Sequence, residues 1–184
     1  MKPPIEAVLC GRLVVSEFSG WFRDLAVSER WIEQQLAAVN LCARVRVRWI
    51  KRAVGAEKAA LFRDAVIFVL PTRYAVEAQP LVLLEAMASG CAILTTRAGE
   101  IPTILDEQSA VLLAEPSAET VADAMRAMAV AAKVRRRFAL TAQARFVDRY
   151  QVNRHIDAWE VLLSHGLADH SPRTPHYIPV PHAD

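Results

Sequence analysis

Two glutamates flank Pro80 at a spacing that suits the binding of sugars and phosphates. Glu77 precedes Pro80 and Glu85 follows it, with seven residues between the two glutamates. Proline favours the first turn of a helix, so Glu85 is predicted to lie more than one turn into a helix that begins at Pro80. The start of a helix presents N–H groups and a positive dipole end that suit a phosphate, while carboxylates accept hydrogen bonds from hydroxyls. A phosphorylated sugar satisfies both needs, although from spacing alone such glutamates are more often a solvated loop residue, for Glu77, and an exposed helix residue, for Glu85.

The elements that must position these glutamates are predicted to be a strand, a helix and a second strand. Residues 65–70 form an apolar run rich in branched and aromatic side chains, which predicts a strand buried on both faces of a parallel sheet. Residues 81–89 are good helix formers ended by Gly90, and residues 92–95 predict the second buried strand.

Two parallel strands joined by a helix form a right-handed crossover. The ligands of such sheets bind beyond the carboxyl ends of the strands. We therefore expect residues 72–79 and 96–100 to surround one crevice.

The same stretch carries a specific motif with many matches in order. It resembles the signature P-S-x-x-E-G-F-P-L-V-L-L-E-A-M-A-x-G of the retaining glycosyltransferases of family 4, which is followed by a strand, a glycine-rich loop and I-P-E-I-V. The weaker resemblance runs from about residue 7 to about residue 159. The matching residues are Pro71, Thr72, Glu77, Pro80, Leu81, Val82, Leu83, Leu84, Glu85, Ala86, Met87, Ala88, Gly90, Gly99, Ile101 and Pro102.

The resemblance implies an α/β fold, with a Rossmann-like parallel sheet flanked by helices that forms the C-terminal half of a GT-B fold. Gly11 lies 60 residues before Pro71, closer to the family's second strand than to its first. This spacing indicates that the opening strand of the family's domain is missing, with Arg12 a solvated cation more often than a diphosphate ligand. The predicted domain covers residues 1–165, followed by a disordered tail at residues 166–184.

The function implied by the resemblance is transfer of a sugar from a nucleotide-sugar, such as a UDP- or GDP-sugar, with retention at the anomeric carbon. Glu77 would hold hydroxyls of the donor sugar in the catalytic role, and Glu85 would hold the ribose. No cofactor and no metal site are expected, and the acceptor is an unknown sugar or lipid-linked molecule. The other donor-binding residues implied are Thr72, Gln79, Pro80, Leu81, Val82 and Gly99.

Several positions depart from the family pattern. Ala78 and Gln79 replace the usual Gly-Phe, and Gln79 can still donate a hydrogen bond to the donor. Glu100 replaces a second glycine, where a side chain and a negative charge would crowd or repel a diphosphate. Thr103 replaces a glutamate, and residues 109–110 replace an Asn-Gly turn.

Composition limits the remaining function classes. The chain has 184 residues, 53% of them hydrophobic, and its net charge of +2 does not favour a dedicated nucleic-acid binder. Three cysteines, far apart and odd in number, indicate reduced thiols in a cytoplasmic protein. The start of the chain has no pattern of a secretory signal, and no apolar run approaches the ~20 residues of a membrane span.

Further elements are predicted on both sides of the motif. Before it, we predict a strand over residues 7–15 interrupted by Gly11, a helix over 18–39, a half-buried strand over 44–49 and a helix over 57–63. After it, we predict a strand over 111–113, a helix capped by Ser117 and running to residue 130, and helices over 133–150 and 156–167. The histidines of the tail, including His170, His176 and His182, lack a ligand framework.

Three functions stay open from the sequence. The chain is the donor half of a working enzyme whose amino-terminal domain comes from a partner chain, or a nucleotide-sugar-binding fragment without catalysis. Alternatively, the basic helix at 133–150 makes it an interaction protein, or one bound peripherally at the inner face of the membrane. A domain without its partner exposes apolar surface, so self-association is also expected.

Overall fold

The computed structural model describes residues 5–14, 24–41 and 45–168, with side chains described up to residue 164. The chain divides into two compact units, an amino-terminal unit from Met1 to Asp64 and a carboxyl-terminal unit from Ala65 to Asp184. The predicted tail lies outside the described residues, apart from residues 166–168. Those three belong to the last helix and were wrongly assigned to the tail.

The described residues of the amino-terminal unit form two parallel strands and two helices. Strand β1 (Ile5–Cys10) pairs with β2 (Val45–Ile50), and α1 (Leu25–Asn40) connects them. Helix α2 (Gly55–Asp64) follows β2. The side chain of Asn40 donates to the Val47 carbonyl at 3.0 Å and accepts from the Val47 N–H at 2.7 Å, which ties the end of α1 to β2.

The structure corrects the ends of two predicted elements in this unit. Strand β1 begins before residue 7 and ends before Gly11, whose φ of 148° does not continue a strand. The described part of the first helix starts after Asp24, which caps it by accepting from the Val27 N–H at 2.8 Å. Residues 18–23 of the predicted helix lie outside the described residues. The alternation predicted for β2 is confirmed, with Val45 and Val47 half-buried and Arg46 and Arg48 exposed.

The carboxyl-terminal unit contains a three-stranded parallel sheet in the order β3 (Ile67–Val69), β4 (Ala92–Thr96), β5 (Ala110–Leu113). Helix α3 (Leu81–Ala88) connects β3 to β4, and the short α4 (Ile101–Ile104) follows β4. The strand, helix and strand predicted around the glutamates are therefore confirmed to within two residues at each end. The burial predicted for the first strand is wrong, because β3 is an edge strand of this sheet and its side chains are half-buried.

Three longer helices follow β5. Helix α5 (Ala118–Val130) starts at Ser117, whose side chain accepts from the Thr120 N–H at 3.1 Å, as predicted. Helices α6 (Ala132–Arg149) and α7 (Val152–Ala168) complete the unit. Within the described part of the chain, no helix is both long enough and apolar enough to cross a bilayer.

The core of this unit is built around β4, where all five side chains are buried. Ala92 and Leu94 pack with Met128 of α5, while Leu83 and Met87 of α3 are fully buried. Burial of one such leucine side chain stabilises the fold by about 2 kcal/mol. Cys91, just before β4, is buried as well, and burial raises the pKa of its thiol to about 11, so the thiol stays protonated at neutral pH.

Two arginines of the basic helix have structural roles. Arg135 donates from Nη1 to the carbonyls of Met128 and Ala129, at 2.7 and 2.9 Å, and so caps the end of α5. Arg145 donates to the Ile104 carbonyl at 3.0 Å and forms an ion pair with Asp106. These two arginines therefore do not belong to the solvated basic surface that the sequence predicted for α6.

Asp106 is the centre of a network that joins the end of α4 to α6. Burial acts to raise the pKa of Asp106, but the hydrogen bond from Ser109, the charge of Arg145 and the Gln108 N–H outweigh it and lower this pKa below 3.8. A carboxyl with a lowered folded pKa adds stability above its unfolded pKa, and this stability is lost as pH falls through the folded pKa.

We expect Asp106→Asn to lower the free energy of unfolding by about 1–2 kcal/mol near neutral pH, since a partly exposed carboxylate loses its charged partners. The gap between the wild type and the variant should start to shrink as pH falls below about 4, because the carboxyl group of the unfolded wild type is then protonated, and it should close only as pH falls through the lower folded pKa. Urea unfolding between about pH 3 and pH 7 measures this. The matched control is Asp123→Asn, which removes the exposed ion pair with Arg126; a gap for Asp106→Asn that does not change with pH would contradict the assignment.

Candidate functional site

Three loops follow the carboxyl ends of the three strands. They comprise residues 70–80 after β3, 97–100 after β4 and 114–117 after β5, and together we call them the carboxyl edge. Because the strands are parallel and adjacent, these loops lie at the same edge of the sheet. They include the two segments that the sequence predicted around one crevice.

Two buried threonines of β4 tie the first loop to the sheet. Thr95 donates from Oγ1 to the Leu70 carbonyl at 2.9 Å, and Thr96 donates from Oγ1 to the Thr72 carbonyl at 2.8 Å. A buried hydroxyl costs free energy unless it forms a hydrogen bond, so both threonines stabilise this loop conformation. Thr72, a predicted donor-binding residue, also accepts from the Tyr74 N–H at 3.1 Å through its own hydroxyl.

The loops after β3 and β4 make direct backbone contact at Glu77. The Glu100 N–H donates to the Glu77 carbonyl at 2.8 Å. Gly99 has a φ of 50°, and a Cβ added there would lie 2.1 Å from the Glu77 carbonyl oxygen. Only glycine fits this position, because both the φ and the space exclude a side chain.

This contact changes the interpretation of two sequence features. The resemblance implied that Gly99 is a donor-binding residue, and in the structure the group that lies closest to Gly99 is the Glu77 backbone. Glu100 replaces a second glycine of the family pattern, and its N–H holds the Glu77 carbonyl while its side chain is exposed. The position of Glu77 is therefore set by the loop after β4.

Helix α3 begins at the carboxyl edge without a side-chain cap. Pro80 is its buried N-cap residue, and its carbonyl accepts the first helical bond from the Leu83 N–H at 2.9 Å. The N–H groups of Leu81 and Val82 lie in the first turn, where a helix offers no acceptor of its own. Gln79 and Leu81 are exposed, so an anion can approach this helix start from solvent.

The two glutamates are half-buried. Glu85 lies in the second turn of α3 beside the buried Ala86, and one of its carboxylate oxygens is buried. This excludes the interpretation of Glu85 as a residue on an exposed helix face. Within residues 5–14, 24–41 and 45–168, no three His, Cys, Asp or Glu side chains come close enough together to hold a metal ion.

One contact of the carboxyl edge has no counterpart in the sequence analysis. Arg73 donates from Nε, at 3.1 Å, and from Nη2 to the Pro116 carbonyl, and so joins the loops after β3 and β5. No periodicity or motif marks a long-range contact of this kind.

In the amino-terminal unit, Arg12 is exposed, and Lys51 forms an ion pair with Glu29 at 2.9 Å.

Comparison with known proteins now decides the family. The sequence profile of the glycosyl transferases group 1 family matches residues 24–130, which is more than half of the chain. The chain belongs to the glycosyl transferases group 1. The search of curated proteins gave no significant match.

Solved structures of glycosyltransferases share the fold of this chain. The C-terminal domain of a glycosyl transferase group 1 family protein, LpcC, from Francisella tularensis has a TM-score of 0.62 at 21% identity, covering 82% of this chain and 88% of that domain. Sucrose-phosphate synthase from Thermosynechococcus elongatus has a TM-score of 0.67 at 21% identity, covering 88% of this chain and 38% of the synthase. Anabaena Alr3699/HepE, in complex with UDP-glucose, has a TM-score of 0.64 at 18% identity, covering 86% and 40%.

These neighbours define the fold of this group 1 member. It is a mixed α/β protein with parallel sheets flanked by helices, matching the C-terminal half of GT-B glycosyltransferases. The chain spans about two fifths of the length of the two longer neighbours.

The contact at Gly99 can be tested against a glycine of similar conformation in the same unit. Gly90 has a φ of 71°, but an added Cβ there would meet Gln143 at an ordinary 3.5 Å. We expect Gly90→Ala to cost about 1–2 kcal/mol from backbone strain alone. Gly99→Ala should cost about 1–3 kcal/mol more, because the Glu77 backbone must move away. Urea unfolding of both variants measures the difference, and equal losses would show that Glu77 does not pack on Gly99.

Proposed function

We propose that this group 1 glycosyltransferase domain binds a nucleotide-sugar at the carboxyl edge and takes part in transferring its sugar with retention at the anomeric carbon. The observation that carries this proposal is the meeting of the Glu77 loop with the Gly99–Glu100 backbone beside the uncapped start of α3. Carboxylates for hydroxyls and N–H donors for phosphates are thereby placed at one edge of the sheet. The structural neighbour HepE was solved with UDP-glucose, with UDP and glucose, and with UDP.

The proposed roles follow from the chemistry of each group. Glu77 accepts hydrogen bonds from hydroxyls of the donor sugar, and Glu85 accepts them from the ribose. The N–H groups of Gln79, Leu81 and Val82 donate to the diphosphate, with Pro80 fixing the direction of the first turn. Thr72 and Gly99 hold the loop that carries Glu77.

The chemical step breaks the bond between the anomeric carbon and the diphosphate oxygen. Negative charge then grows on the leaving nucleoside diphosphate, and prearranged N–H donors at the helix start stabilise it. The acceptor hydroxyl forms the new bond on the same face of the sugar, and its proton passes to the leaving diphosphate oxygen.

We assign only the donor side of the reaction to these residues. Since the chain spans about two fifths of the longer neighbours, the acceptor side is proposed to come from a second domain, in the same polypeptide or in a partner chain. The acceptor class, a sugar or a lipid-linked molecule, belongs to that second domain.

The proposed ribose contact is tested by calorimetric titration with UDP, UDP-glucose, GDP and GDP-mannose. We expect either UDP and UDP-glucose or GDP and GDP-mannose to bind. Glu85→Gln should weaken the binding of the nucleoside diphosphate and of its sugar conjugate by the same factor, about tenfold or more. The matched control is Glu160→Gln, an exposed glutamate of α7. Binding that is unchanged by Glu85→Gln would remove Glu85 from the site, and no binding of any nucleotide would reject the proposed function.

The role of Glu77 predicts a different pattern of losses. Glu77→Gln should weaken the binding of the sugar conjugate by about tenfold and leave the affinity for the nucleoside diphosphate unchanged, because only the sugar loses its charged acceptor. The ratio of the two dissociation constants in the same titrations is the quantity to compare. Equal weakening of both ligands would place Glu77 away from the sugar.

A further inference from the structure

The carboxyl edge contains more negative than positive side chains. Its carboxylates are Glu77, Glu100 and Glu115, and its cations are Arg73 and Arg97. Arg97 forms an ion pair with Glu107, which lies outside the edge, so its charge is already compensated. A nucleoside diphosphate that binds beside these carboxylates needs a further positive charge.

Arg73 has the only cationic side chain of this edge without a carboxylate partner among the residues that the structure describes. It bonds to a neutral acceptor, the carbonyl of Pro116, through Nε and Nη2. A carbonyl orients the guanidinium without neutralising it. The full charge of Arg73 therefore remains at the edge.

The route of the Arg73 side chain places this charge across the sheet. Arg73 follows β3 and Pro116 follows β5, while β4 lies between these two strands. Adjacent strands are about 4.8 Å apart, so the strands β3 and β5 are roughly 10 Å apart, and the Arg73 contact joins the loops that follow them. The contact therefore lies at the carboxyl edge, where ligands of parallel sheets bind.

The geometry of the guanidinium leaves donors for a ligand. One side of the group, Nε and one N–H of Nη2, is used by the Pro116 carbonyl. Nη1 and the other N–H of Nη2 point away from this carbonyl, since the group is planar with five N–H donors in a fixed arrangement. Such a fork matches the oxygens of a phosphate, and the tether reduces the entropy lost on binding.

We propose that Arg73 is the cation that holds the diphosphate of the nucleotide-sugar at this edge. This inference rests on the proposed function and adds a charged residue to the backbone donors of α3. Arg73 then compensates the charge that develops on the leaving diphosphate. If Arg73 only ties two loops together, its loss affects every ligand of the edge alike.

The experiment compares UDP with UMP, and GDP with GMP, on the full chain by calorimetry. The wild type should bind the preferred diphosphate at least about tenfold more tightly than the monophosphate. Arg73→Gln should bring the two ligands to within about threefold of each other and leave the monophosphate affinity unchanged. Arg73→Lys, which keeps the charge but loses the fork, should give an intermediate ratio.

The control is Arg126→Gln, an exposed arginine of α5 that forms an ion pair with Asp123. The diphosphate preference of the wild type should also decrease between about 0.05 and about 0.5 M salt, while that of Arg73→Gln should not. A tie between loops does not predict this difference in salt dependence.

Thermal unfolding of each variant before titration shows whether it is folded. If Arg73→Gln does not fold, Arg73→Lys still tests the proposal.

The outcomes separate this proposal from the proposed function. Nucleotide binding with an unchanged diphosphate preference in Arg73→Gln and Arg73→Lys would overturn the role of Arg73 and leave the proposed function standing. Equal weakening of diphosphate and monophosphate would also overturn it, in favour of a structural tie. Failure of the wild type to bind any nucleotide would reject the proposed function, and with it this assignment.

Discussion

The burial of β4 is the constraint on which the carboxyl-terminal unit depends. β4 is the middle strand of its sheet, all of its side chains are buried, and α3 and α6 both contact it. A strand buried on both faces accepts a polar side chain only where that side chain has a partner. The two threonines at its carboxyl end meet this requirement by bonding to the loop after β3. The packing of the core and the shape of the candidate site therefore have the same physical origin.

The proposed function places two opposing requirements on the carboxyl edge. Sugar hydroxyls need carboxylate acceptors, while a diphosphate is repelled by the same carboxylates. The structure separates the two kinds of group within one edge, with glutamates in the loops and N–H donors at the start of α3. Backbone donors carry no full charge, so under this proposal the single uncompensated arginine supplies the positive charge that the N–H groups lack.

The sequence predicted the part of the fold where local signals agree. Between residues 65 and 96, the apolar runs, Pro80 and Gly90 all indicate the same strand, helix and strand, and the structure confirms them. The short helix α4 was missed because four residues with a proline at the second position have no periodicity to detect. The contact of Arg73 with Pro116 and the network of Asp106 with Arg145 join residues about 40 apart in the chain, and no local pattern encodes them.

The hydrogen bond from Glu100 to Glu77 also has a practical consequence. Amide protons exchange with solvent when their hydrogen bonds open, and local openings reflect the stability of the segment concerned. The amide of Glu100 bonds to the very residue that carries the proposed sugar-binding carboxylate. Its exchange rate and its nuclear magnetic resonance signal therefore report on the order of the Glu77 loop, without any probe being attached to the site.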